Sequence, residues 1–141
     1  MPTLTGTSHV DLTVSNLDRS VDFYQKALGV GPLFRARVEE QKFEVAYLAE
    51  PNSGMILGLV QHDETRANGF DPRVTGLDHL SFAVAEPAEL HKWAEHLDSV
   101  GIAHNGYSDQ PPIGAGLNFN DPDGIALEFY WISPNAIPSA K

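Results

Sequence analysis

Apolar and polar residues alternate from about Thr7 to Val14. Val10, Leu12 and Val14 share one face of a strand, while His9, Asp11 and Thr13 share the other. The period then changes. Leu17, Val21, Tyr24 and Leu28 fall at helical spacing, with Ser15 or Asn16 placed to cap the start and Gly29 to close the end. Three strands are predicted after it, over about 33–38, 42–49 and 55–61, with a turn at Asn52-Ser53-Gly54. Half a chain length later the order repeats. Leu80, Phe82 and Val84 oppose His79, Ser81 and Ala83, and a helix over about 87–100 places Leu90, Trp93, Ala94 and Leu97 on one side before Gly101. Strands near 102–107, 113–120 and 124–132 follow, the last pair turning on Asp121-Pro122-Asp123-Gly124. Each half therefore reads βαβββ, which makes the fold class α+β. The expected division is a single domain of two repeats: a first module over 5–62, a polar linker over 63–76 and a second module over 77–133. The tail from Ser133 is expected to fray or to lie on a partner.

Composition narrows the function classes. The chain has 141 residues, 42% hydrophobic and 20% charged, with a formal net charge of −10 and no cysteine. Disulfides, thiolate catalysis and zinc-thiolate sites are thereby excluded. The negative field disfavours nucleic acid and anionic membranes as partners, and suits a neutral or weakly charged small molecule. No apolar run approaches the ~18 residues of a membrane span, and no basic-then-apolar leader opens the sequence, so a cytoplasmic protein is expected.

The candidate chemistry lies on the side of each sheet that its helix leaves open. A histidine opens both repeats at the same inward position, and in the last strand Ile125, Leu127 and Phe129 alternate with Ala126, Glu128 and Tyr130. A carboxylate at Glu128 on that face is costly unless paired or bound to metal. His9, His79 and Glu128 form the donor set of a 2-His-1-carboxylate site, suited to Fe, Mn, Ni, Co or Zn. The step from His79 to Glu128, taken from His9, reaches Gly58, so the repeat predicts three protein ligands and no fourth. His62, on the face of Gly58, is a candidate general base or distant ligand, or else a solvated loop residue. Gln61 should face the other way. Tyr130 is a candidate hydrogen-bond donor to substrate, or else a wall of the cavity. Asp11 either orients His9 or faces solvent at a dimer groove. His91, His96 and His104 receive no role, and Trp93 and Trp131 read as packing residues.

The stretches SHVDLTVSNLDRSVDFYQKALGV, TGLDHLSFAV and FNDPDGIALEFYW resemble the vicinal oxygen chelate superfamily. That superfamily includes glyoxalase I, extradiol dioxygenases, fosfomycin-resistance thiol transferases, methylmalonyl-CoA epimerase and bleomycin-resistance proteins. The resemblance implies paired βαβββ modules curving as a cup-shaped mixed sheet around one divalent metal, in a homodimer. It carries His9, His79 and Glu128 over as ligands. It further implies a lyase or dioxygenase acting on a small-molecule substrate with vicinal oxygens, the metal chelating it and stabilising an enolate or oxyanion. The alternative is a metal-free protein of the bleomycin-resistance type that sequesters a drug. Gly58 stands where glyoxalase I and the epimerase would be expected to carry Glu or Gln, which counts against both. The chain is also about half the length usual for extradiol dioxygenases.

Overall fold

The computed structural model describes residues 1–66 and 68–137. Ala67 in the expected linker and the end of the tail, including Lys141, lie outside the described residues. The chain parts into two compact units, Met1–Asn68 and Gly69–Lys141.

In the first unit, β1 (Val10–Thr13) leads into α1 (Leu17–Leu28), then β2 (Gly31–Val38), β3 (Phe43–Ala49) and β4 (Ile56–His62). The sheet order is β1-β4-β3-β2, with β1 parallel to β4 and the remaining pairs antiparallel. The second unit repeats this with β5 (Leu80–Ala83), α2 (Pro87–Ser99), β6 (His104–Gln110), β7 (Gly114–Asn120) and β8 (Ala126–Ile132), in the order β5-β8-β7-β6. A short 3-10 turn, Pro134–Ala136, follows. The α+β class and the βαβββ order of both modules are as the periodicity predicts.

The helix starts differ. Asn16 caps α1, its side-chain oxygen accepting the Arg19 N–H at 3.0 Å, and Gln61 Oε1 accepts the Leu17 N–H at 2.6 Å. Two of the helix's free N–H groups are thus satisfied. Gln61 accordingly faces the helix, as its strand phase requires. Glu86 stands at the cap of α2 without a side-chain bond, and Pro87 begins the helix. Gly29 ends α1 at φ 69°, in the left-handed region that glycine enters without strain.

Several strand ends differ from expectation. β1 and β5 begin one residue after their histidines, so His9 and His79 sit at strand entrances and not within strands. β6 begins at His104 because the chain leaving α2 is held by Gly101 N–H to Asp98 O and Ile102 N–H to Leu97 O. Those bonds close the helix end before extended pairing starts.

Each helix covers one side of its own sheet. In the first unit Leu12, Leu48, Leu57 and Leu59 are buried with Leu17, Tyr24 and Leu28 of α1. In the second, Phe82, Leu117, Leu127 and Phe129 are buried with Leu90 and Leu97 of α2, and Trp93 stacks on Phe129 at 4.3 Å between ring centres. The opposite face of each sheet carries the polar residues of interest.

Candidate metal centre

Strand register settles which open-face positions are equivalent. Asp11 pairs with Gly58 and Gly58 with Tyr47; Ser81 pairs with Glu128 and Glu128 with Asn118. Gly58 and Glu128 are therefore counterparts, and so are Asp11 and Ser81.

In the second unit, His79 is held from both sides. Its Nδ1 lies 2.7 Å from Asp78 Oδ1 and its Nε2 lies 3.3 Å from Glu128 Oε1. The Glu128 side chain is 13% exposed, a mostly buried carboxylate whose charge needs a partner. The Asp78 hydrogen bond, aided by the Glu128 charge, holds the His79 pKa above its ordinary value against an opposing effect of burial. Two donor atoms each about 2.1 Å from one divalent ion stand roughly 3.0–3.4 Å apart at right-angled to tetrahedral geometry. The His79–Glu128 separation falls in that interval. A histidine that ligates through one nitrogen usually gives the other to a carboxylate or carbonyl, which is the place Asp78 takes.

Tyr130 shares the face of Glu128. Its hydroxyl donates to Gln110 Oε1 at 3.1 Å. Its ring lies over β7, where a Cβ on Gly114 or Gly116 would stand 3.0 Å or 3.1 Å from ring carbons. The two glycines make room for a flat aromatic wall.

In the first unit, His9 Nδ1 is 3.0 Å from Ser8 Oγ, and Nε2 is 3.9 Å from Asp11 Oδ1. The other Asp11 oxygen, Oδ2, accepts the Tyr47 hydroxyl at 3.0 Å. Burial, then the Asp11 hydrogen bond, raises the Tyr47 pKa, so its hydroxyl stays a donor. Gly58 is what permits this arrangement. A Cβ there would overlap the Asp11 carboxylate and come within 2.8 Å of Tyr47 Cε1. Phe34 packs beside Tyr47 at 5.0 Å between ring centres.

His62 ends β4, opposite Phe43, with the rings 5.5 Å apart. It shares the face of Gly58 but stands about 13 Å further along the strand, at the end away from His9. Ser8, Tyr47 and Asp78 were absent from the sequence reading. Asp78 was findable as the residue beside a repeated histidine, and Tyr47 by continuing the alternation of β3 from Phe43. Among the described residues, no three histidine or acidic side chains gather into a ready cluster.

Two βαβββ modules, each with a histidine beside a carboxylate on the side away from its helix, define a glyoxalase-like protein. The chain belongs to the Glyoxalase/Bleomycin resistance protein/Dioxygenase superfamily, which it matches over residues 6–129. It is 30% identical over 131 residues to Glyoxylase I 4 of Arabidopsis thaliana, covering 89% of this chain and 70% of that protein. It is 29% identical over 127 residues to glutathione transferase FosA of Serratia marcescens, covering 90% of this chain and 81% of that one. A solved glyoxylase/bleomycin resistance protein/dioxygenase domain from Frankia sp. EAN1pec superposes with a TM-score of 0.84 at 36% identity, over 93% of this chain and all of that domain. Relatives of this chain include enzymes, and superfamily members use divalent metals. No helix among the described residues is long and apolar enough to cross a membrane.

Proposed function

We propose that the protein is a divalent-metal enzyme acting on a small molecule with two neighbouring oxygen atoms, with His79 and Glu128 as ligands and His9 as the third. The observation that carries this reading is His79 itself: Nδ1 is anchored on Asp78, and Nε2 stands 3.3 Å from a largely buried carboxylate. A divalent ion held there would supply Lewis acidity toward a substrate oxygen. Asp78 fixes the plane of the His79 ring, and Glu128 supplies an anionic oxygen from a rigid central strand. Tyr130, two residues beyond Glu128 on the same face, walls the substrate and offers its hydroxyl in competition with Gln110. His62 belongs to the proposal as the candidate proton carrier: slowed turnover in His62→Ala would give it that role, and unchanged turnover would remove it.

Four of the nine lysine and arginine side chains support a neutral or cationic substrate. Arg35 pairs with Asp18 and Glu44, Arg37 with Glu39 and Asp63, Arg73 with Asp71, and Lys92 with Glu89. Each is already committed to carboxylates, and the open faces themselves carry Asp11 and Glu128. A homodimer belongs to the same reading, and light scattering in solution tests it.

One observation favours the metal-free binding alternative. Phe34, 56% exposed, and Tyr47 form an aromatic pair on the open face of the first unit. Metal analysis by mass spectrometry on tag-free wild type, His9→Ala and Glu128→Ala separates the two. About one ion per chain, lost in both variants, supports the enzyme. A wild type that takes up no metal after incubation with Fe(II), Mn(II), Ni(II) and Zn(II) overturns it, and binding of an aromatic drug would then be the function.

A further inference from the structure

The same three-part pattern surrounds both histidines. The residue before each one holds Nδ1: Ser8 for His9 and Asp78 for His79. Each Nε2 faces a carboxylate oxygen on the open face, Asp11 at 3.9 Å and Glu128 at 3.3 Å. Only the strand that supplies the carboxylate differs. In the second unit it comes from β8, opposite Ser81; in the first it comes from β1, opposite Gly58. The missing side chain at Gly58 is the space into which the Asp11 carboxylate leans. In register terms, the first module's carboxylate stands on the strand that carries Ser81's counterpart, next to the strand position that matches Glu128.

Resting on the metal reading above, we propose that Asp11 joins His9 as a further, fourth protein donor to the ion. A His-x-Asp pair on an extended chain puts both side chains on one face, near enough to bind one ion together. The observed 3.9 Å exceeds the usual ligand spacing by less than 1 Å, a gap that a small rotation of the Asp11 side chain closes. Tyr47 completes the arrangement. A carboxylate that ligates through one oxygen is commonly hydrogen-bonded through the other, and the Tyr47 hydroxyl bonds Oδ2 while leaving Oδ1 toward His9.

The test uses chelator-stripped full-length protein and Mn(II) as the probe. Calorimetry gives affinity, and water-proton relaxation of the bound Mn(II) counts its coordinated waters. Asp11→Asn is expected to weaken Mn(II) by more than roughly 100-fold, beyond the cost of losing an outer partner, and to add one bound water. Asp11→Ser, which installs the second module's own residue, should do the same and guards against an artefact of the amide. Tyr47→Phe should weaken binding roughly tenfold with the water count unchanged. Thermal melts of the metal-free variants confirm that they are folded. If wild type binds Mn(II), Glu128→Ala loses it and both Asp11 variants keep the wild-type water count, the fourth donor is overturned while the metal enzyme stands. If wild type takes up none of Mn(II), Fe(II), Ni(II) and Zn(II), both fall.

Discussion

The two modules share a backbone plan and a helix-covered side, and they diverge on the open one. Leu57 and Leu127 are strand-register equivalents, and each is 1% exposed beneath its helix. One row further on, the first module reads Asp11, Gly58, Tyr47 across three strands, and the second reads Ser81, Glu128, Asn118. Packing against a helix constrains volume and apolarity, so the covered positions tolerate little change. The open face answers to hydrogen bonds and charge. There a carboxylate stands beside each Nε2, from β1 in the first module and from β8 in the second.

The largest effect should come from the side where the modules agree. Leu57→Ala and Leu127→Ala should each cost about 2–5 kcal/mol in denaturant unfolding, the usual penalty for an emptied core leucine. A much smaller loss at either position would mean that the covered sides are not equivalent after all.

The open-face counterparts should respond in opposite ways. Gly58→Ala drives a methyl into the Asp11 carboxylate and the Tyr47 ring, so the metal-free protein should lose about 1–3 kcal/mol. Glu128→Gln keeps volume and removes charge. Its metal-free melting temperature should match wild type, while the rise produced by added divalent ion should vanish, because only binding to the folded state stabilises it. An undiminished rise in Glu128→Gln would remove Glu128 from the ligand set.

The helix starts offer a smaller contrast. Asn16→Ala removes the oxygen that caps α1 and should cost about 1 kcal/mol. Glu86→Ala removes a side chain that makes no cap bond, so its unfolding curve should overlay wild type.

Periodicity made the repeat legible because the modules bury long, regular faces. The alternation of Ile125, Leu127 and Phe129 with Ala126, Glu128 and Tyr130 was enough to put Glu128 opposite the helix. The offset between repeats was enough to identify Gly58 as its counterpart. What the alternation could not show was what fills the space at Gly58. That depends on Asp11 leaning across a strand and on Tyr47 reaching it from the other side, contacts between residues 36 positions apart in the chain. Strand ends were misjudged for a related reason: the bonds closing α2 through Gly101 and Ile102 set where β6 starts, and local apolarity carries no record of them. Gln61 was placed on the correct face by phase alone, yet its bond to the start of α1 needed the fold.

The finest contrast lies behind the histidines. Module one backs its imidazole with a neutral hydroxyl, Ser8, and module two with a carboxylate, Asp78. The Asp78 hydrogen bond is the largest cause of the raised His79 pKa. In the folded, metal-free protein the protonated form of His79 is therefore favoured. The stabilisation this gives is complete below the ordinary histidine range and disappears as pH rises through the raised value. Asp78→Ser, which copies the first module, should move the His79 titration midpoint downward, followed by the ring-proton chemical shift across neutral pH. Because both groups are about half exposed or more, stability itself should change little, and the shift is the sensitive measure. A midpoint that stays in place would mean that Glu128, and not Asp78, sets the charge of His79.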